Sequence, residues 1–342
     1  MARLKYWQAC NEALRLEMRR DPSVVVLGED VAGGAGREAE GIVDAWGGPF
    51  GFTRGLVQEF GTDRVRDTPI SEAGFVGLAA GLAAGGYRPW VDVMFTELLP
   101  LASDQLVNRI ARTRFLSAGQ IRMPLTVKTF GECYSPLCHY PGLICVAPSD
   151  AFSAKGLVSA AIRCDEPVIV FDSLRLLRHE SEVPEENYVL ELGRSRVLRT
   201  GTDLTLLGIG PSAQLCLTAA AELGSAGISV EVVDLMTLSP WDVTGVVESV
   251  DRTGRLVVVD FDHPDCGLAA TICASVAERS WGRLLAPPTR ISLLPVPIMG
   301  MDGNPVLSSL CTPSQDDVVR VARAILDEPL TGRSARARNL GV

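Results

Sequence analysis

"DTPISEAGFVGLAAGLAAGGY", Asp67 to Tyr87, sets a single carboxylate at the mouth of a long charge-free run: after Glu72 no charged residue occurs before Arg88. Pro69 and Ser71 break the chain just ahead, so the run opens as a helix with Glu72 in its first turn, where the helix dipole favours an anion. Surroundings made of Gly, Ala, Leu and Val pull the other way, toward the neutral acid. A carboxyl group held between these tendencies can share a proton with a molecule docked against it. The plainer alternative is a helix-start glutamate half in water, serving only the dipole.

Working outward, short β-branched runs flank this helix: "VVVLGED" (24–30) before it and "PWVDVMF" (89–95), "PLTVKTF" (124–130), "LICVAPS" (143–149) and "PVIVFD" (167–172) after it. Helical periodicity fills 72–86, 98–116 and 150–163 between them. Apolar strands alternating with helices predict a parallel sheet covered on both faces, a doubly wound α/β domain. Residues 173–200 interrupt the rhythm with charges and a proline, as a crossing segment does. The alternation resumes with "LTLLGIG" (204–210), "ISVEVVDL" (228–235), "RLVVVDF" (255–261) and "TRISLLP" (289–295), again separated by helices. We therefore expect two α/β domains, at 1–185 and 201–328, joined by a linker at 186–200 and ending in a flexible tail at 329–342. The opening "MARLKYWQACNEALRLEMRRD" reads as an amphipathic helix with Leu4, Trp7, Leu14 and Met18 inward.

A chain of 342 residues exceeds one ordinary core, and 47% hydrophobic against 21% charged residues marks a well-buried globular protein. The net charge of −9 argues against a nucleic-acid surface, which needs clustered Lys and Arg. No apolar run reaches membrane-spanning length and the opening is broken by charges, unlike a secretory signal; a cytosolic location is the expectation. The nine cysteines are scattered, and His139, His179 and His263 are dispersed, so no metal site is predicted from spacing.

Two further stretches carry candidate chemistry. "LGIGPSAQ", Leu207 to Gln214, follows a strand and opens a helix, as an anion cradle does, but lacks the third glycine and the spaced acid of a dinucleotide fingerprint; a tight strand-to-helix turn fits better. Asp260, Asp262 and His263, in "DFDHPDCG", fall just past a strand, at the edge where open α/β sheets bind ligands and where wet loops also collect charge.

In order along the chain, "GED", "DTPISEAGFVGLAAGLAAGGYRPWVDVMF", "SDQLVNRIARTRFLSAGQ", "PGLICVAPSDAFSAKGLVSAAI" and "EVVDLMTLSPWD" resemble the β subunit of the thiamine-diphosphate-dependent decarboxylating component of 2-oxo acid dehydrogenase complexes, of pyruvate, branched-chain and acetoin types. The likeness spans about residues 4 to 327. It implies a pyrimidine-binding domain followed by a transketolase C-terminal-like domain. It further implies a partner: an α-type subunit, in an α2β2 heterotetramer, that holds Mg2+ and the diphosphate. Glu72 matches the family's cofactor-activating glutamate, which hydrogen-bonds the aminopyrimidine ring nitrogen and favours the imino tautomer that deprotonates the thiazolium. Ile70 and Met94 fall where the family lines the pyrimidine pocket. The implied reaction is decarboxylation of a 2-oxo acid, or cleavage of a related donor, with the acyl unit passed to a lipoyl domain or another carrier thiol.

The pattern departs from the family at several points. The aromatic that stacks on the pyrimidine is Leu98 here, unless Phe95 turns in to replace it. The long glycine-rich loop that brings a histidine to the reacting centre is shortened to "FGECYSPLCHYPGL", in which His139 matches a different family histidine. Asp260 stands where the family has another histidine. Cys164 replaces an aspartate in the turn where some members bind a monovalent cation. A shorter loop leaves more of the pocket open, which implies an altered substrate or acceptor. The alternative is a catalytically degenerate subunit that stabilises or regulates an α-type partner.

Overall fold

A computed structural model describes residues 1–33, 47–297 and 305–327; the expected tail at 329–342 lies outside them. Strand β1 (Ala2–Lys5) leads into helix α1 (Tyr6–Arg20), and then β2 (Val24–Gly28), α2 (Leu56–Phe60), β3 (Val65–Asp67), α3 (Glu72–Ala84), β4 (Arg88–Phe95), α4 (Ala111–Leu116), β5 (Thr126–Phe130), α5 (Ser135–Cys138), β6 (Ile144–Val146), α6 (Ala151–Arg163) and β7 (Val168–Asp172) follow. Strands β2 to β7 form a parallel sheet in the order β6-β7-β5-β4-β2-β3. Residues in β2, β5 and β7 are buried throughout, as helices on both faces require.

Beyond β8 (Glu180–Val183) and β9 (Arg196–Arg199), the second half runs β10 (Leu204–Gly208), α7 (Ser212–Ser225), β11 (Val230–Asp234), β12 (Thr237–Ser239), α8 (Val243–Thr253), β13 (Leu256–Val259), α9 (Leu268–Arg279), β14 (Thr289–Ile291), α10 (Pro305–Cys311) and α11 (Gln315–Asp327). Its sheet has the order β14-β13-β10-β11-β9, parallel except for β9. The interval 186–200 therefore contains a strand of the second sheet.

Three features differ from the expectation. Leu4 lies in β1, not in the first helix, because Ala2–Lys5 pairs antiparallel with β8; Leu14 and Met18 of α1 are buried as anticipated and Trp7 is half-buried. The stretch 98–116 is not one helix: a tight 3₁₀ segment, Thr96–Ala102, contains Pro100 and is followed by a π-helical segment, Asp104–Ile110, before α4. Strand β12, from "TLS" just before Pro240, leaves its own half of the chain and pairs antiparallel with β6, extending the first sheet to seven strands.

That exchange ties the halves together. One hydrophobic cluster runs from Val76, Val91 and Val127 through Leu143 to Leu207, Val233 and Ile272. Beside it, Arg196 pairs with Asp150 (2.7 Å) and Asp234 (3.3 Å), and Ser149 Oγ donates to Asp234 (2.5 Å). Burial pushes the Asp234 carboxyl up to about 7 against the opposing pull of Arg196. The "LGIGPSAQ" turn is a close approach: a Cβ on Gly208 would sit 2.3 Å from the Ala213 Cα. Ser212 Oγ accepts from Ile209 N and donates to Val259 O, so the hydroxyl is spent on the turn itself.

Candidate active site

The carboxyl ends of β2, β3 and β4 converge on the start of α3. Helix α3 packs on β4 and on the Thr96–Ala102 segment, burying Phe75, Val76, Ala79 and Ala83. Ser71 is its N-cap residue, though its hydroxyl makes no capping bond, and Glu72 occupies the first helical position. Glu72 is a buried residue, 5% exposed, and no described residue hydrogen-bonds its carboxyl, whose oxygens are not sealed from the mouth. An unpartnered carboxyl at such a mouth is placed to accept a donor from a ligand.

Glu29, at the end of β2, is the second acid of this mouth. Burial first, then the charges of Asp30 and Glu72, raise its carboxyl above the usual range. In the sequence Glu29 is the middle residue of "GED", a position to which the motif alone gives no role. Its position directly after an apolar strand was the available signal.

The other expected pocket residues lie on the same edge in different states. Ile70, ahead of α3, is 74% exposed. Met94, at the end of β4, is half-buried and takes a left-handed φ of +47°, which few non-glycine residues adopt. Leu98 is half-buried and packs against the main hydrophobic cluster. Phe95 does not turn in beside it: its ring meets Phe50 (5.8 Å between centroids) and Phe130 (6.4 Å), in a separate cluster with α1 and α6.

The shortened stretch after β5 folds down onto the second half of the chain. Asp262 Oδ2 accepts from Tyr134 N (3.1 Å), Ser135 N (2.9 Å) and Ser135 Oγ (2.5 Å), thereby capping α5. Ahead of α5, Ser173 Oγ donates to Glu132 (2.5 Å). Burial raises Glu132, and burial pushes the neighbouring Cys133 thiol up to about 12, so Cys133 is no nucleophile at neutral pH. His139 is exposed and meets Tyr140 edge-on.

Of the candidates in "DFDH", Asp262 thus acts as an anchor for the short loop. Asp260 is fully buried, its Oδ1 accepts Asp262 N (3.1 Å) and its Oδ2 has no partner. The turn at Cys164 is held by Arg88, which donates to Ile162 O (3.1 Å) and Cys164 O (2.9 Å) and pairs with Asp165 (2.5 Å). Among the described residues no cluster of three or more His, Cys, Asp or Glu is arranged for a metal ion, and no helix is long and apolar enough to cross a membrane.

Comparison with known proteins bears on this geometry. Residues 2–180 match the transketolase pyrimidine-binding domain, and residues 193–318 the transketolase C-terminal domain. The β subunit of acetoin:2,6-dichlorophenolindophenol oxidoreductase from Bacillus subtilis (strain 168) is 40% identical over 335 residues, covering 94% of this chain and 96% of that one. The corresponding subunit from Cupriavidus necator is 41% identical over 327 residues, 92% of this chain and 95% of its own. The pyruvate dehydrogenase E1 component subunit beta of Staphylococcus epidermidis is 37% identical over 340 residues, 96% of this chain and all of its own. Among solved structures, a split-gene transketolase described as an inactive beta4 tetramer shares the fold with a TM-score of 0.73 at 22% identity, covering 93% of this chain and 97% of that one.

Proposed function

Because this chain belongs to the transketolase-like family of thiamine-diphosphate-dependent dehydrogenase β subunits, we propose that Glu72 grips the coenzyme's aminopyrimidine here. The partner in this reading is an α-type subunit in an α2β2 heterotetramer that supplies Mg2+ and the diphosphate site. The observation that carries the reading is Glu72 itself, a residue 5% exposed at the start of α3 whose carboxyl reaches the mouth without a partner among the described residues. A flat heterocycle with one basic ring nitrogen satisfies such a group.

When bound, the coenzyme supplies the electron sink that carbon–carbon cleavage beside a carbonyl requires. This chain's part is to orient and to move a proton. Glu72 holds a proton at the pyrimidine ring nitrogen, and the N-terminus of α3 stabilises its carboxylate when the proton leaves. Glu29, raised above the usual carboxylate range by burial and by the charges of Asp30 and Glu72, is a further acid at the same mouth. Met94 and Leu98 line the apolar side of the mouth, and the exposed Ile70 is apolar surface for the docked coenzyme to cover. In this assignment residues 1–185 form the pyrimidine-binding unit, 186–200 the crossing and 201–328 the C-terminal unit, working in the cytoplasm.

The donor is a 2-oxo acid or acetoin, and a lipoyl domain or another carrier thiol takes the acyl unit. The test is to purify the chain with its α-type partner, add thiamine diphosphate and Mg2+, and follow reduction of dichlorophenolindophenol with pyruvate, branched-chain 2-oxo acids and acetoin, and carbon transfer from ketose phosphates. Turnover with one donor that is lost in Glu72→Gln is expected; a complex inert toward every donor would refute catalysis. The loop anchored by Asp262, which offers no histidine beyond the exposed His139, favours a second reading as a non-catalytic assembly subunit. In that case Glu72→Gln leaves assembly and every other property of the complex unchanged.

A further inference from the structure

A buried lysine stands at the centre of the first domain's sheet. Lys128, in the middle of β5, is fully buried, with its ammonium 3.2 Å from both carboxylate oxygens of Asp92 on the neighbouring strand β4. Three rings surround the ammonium, with centroids at 3.6 Å (Phe130), 4.6 Å (Phe52) and 6.0 Å (Phe50). An apolar pair is generally cheaper to bury at such a place than an ion pair, so an ion pair here calls for a reason other than stability.

Asp92 shows what the pair holds. Its Oδ1 also accepts from Met94 N at 2.9 Å, two residues on, where the backbone takes the left-handed φ of +47°. Between Asp92 and Phe95 the register of β4 against β5 slips. A methionine persists in this conformation only where its surroundings enforce it, and the hydrogen bond to Asp92 is the enforcing contact. The neighbouring strand makes room: a Cβ on Gly28 would lie 2.7 Å from Asp92 O and 3.1 Å from Asp92 Cβ. The glycine of "GED" is thus required by the same device. On the other flank Asp172, bonded by Tyr6 Oη at 2.5 Å, faces the same ammonium from β7.

We propose that Lys128 is a positioning residue for the coenzyme: by fixing Asp92 it holds Met94 in its left-handed turn, and so sets how tightly the aminopyrimidine is gripped without taking part in proton transfer. This rests on the reading above, in which Met94 lines the pyrimidine pocket.

The experiment uses the assembled complex carrying Lys128→Met, Lys128→Arg or Asp92→Ala. It measures the dissociation constant for thiamine diphosphate by calorimetry and, separately, kcat at saturating coenzyme. Loss of one charge-assisted hydrogen-bond anchor is expected to weaken coenzyme binding by about tenfold or more in Lys128→Met. Turnover at saturation stays close to wild type, and Lys128→Arg, which keeps charge and ring contacts, restores binding. Asp92→Ala, which removes the acceptor of Met94 N, reproduces the loss and serves as the test should Lys128→Met fail to assemble. Unchanged affinity in an assembled Lys128→Met complex, or Lys128→Arg as weak as Lys128→Met, overturns the proposal while leaving the role of Glu72 intact. A wild-type complex that does not bind the coenzyme overturns both.

Discussion

Replacing Asp260 by asparagine isolates one buried proton. Asp260 is fully buried at the end of β13, and burial first, then the charge of Asp262, push its carboxyl from 3.8 up to about 8. Tyr134, Cys133 and Cys138 face the same acid from the short loop and offer it no positive charge. Because the folded-state value is raised, the native chain holds a proton that the unfolded chain has lost between these two values. The stability contributed by this site is complete below the unfolded value, falls as pH rises, and is gone above about 8. Its slope is about 1.4 kcal/mol per pH unit. Asp172 and Asp234, both pushed up to about 7 by burial, add parallel slopes that end near 7, which leaves Asp260 alone between the two values. Asparagine keeps the shape and the acceptor for Asp262 N but has no proton to release. In urea unfolding of the purified complex, the stability advantage of Asp260→Asn should therefore grow by about 1.4 kcal/mol per pH unit from about pH 5 to about pH 8. Stability curves that run parallel for the two proteins over that range would show that Asp260 is ionised in the native state and that the argument from burial is wrong.

Two further outcomes follow from the same contacts. Asp262→Ala removes the acceptor of Tyr134 N, Ser135 N and Ser135 Oγ, at a cost of about 2–3 kcal/mol; hydrogen exchange across residues 131–142 should accelerate, and retained protection would mean that the loop is held by something else. Leu98→Phe returns a ring to the expected pyrimidine wall and should tighten thiamine diphosphate binding by about 1 kcal/mol, roughly fivefold, by calorimetry; an unchanged constant in a folded complex places position 98 outside the wall.

Both sheets were legible in the sequence because interior strands such as β2 in the first and β13 in the second are apolar runs buried along their whole length, and such runs report burial directly. Glu72 stood out for the opposite reason, as one charge at the head of a run that has none. What escaped detection depended on partners far away in the chain. Strand β12 is three residues long and joins a sheet built from the other half, so nothing local marks it. Lys128 looked like an ordinary polar residue in a strand, and its meaning appears only when Asp92 on the next strand is seen to bind both its ammonium and Met94 N.

The floor and the rim of the candidate site draw on different anchors, which can be traced separately. Glu72 stands on α3, and α3 packs on β4, whose strained end is fixed from below by Asp92 and Lys128. None of these contacts runs through the short loop 131–142, which draws its anchors from Asp262 and Ser173 instead. The two regions are still in contact: Gly131 approaches Thr96 of the segment under α3, and Tyr134 and Leu137 share one hydrophobic cluster with Phe75, Val76 and Ala79. We expect substitutions at Asp92 or Lys128 to act first on thiamine diphosphate affinity and substitutions at Asp262 first on the loop, which calorimetry and hydrogen exchange across residues 131–142 report separately.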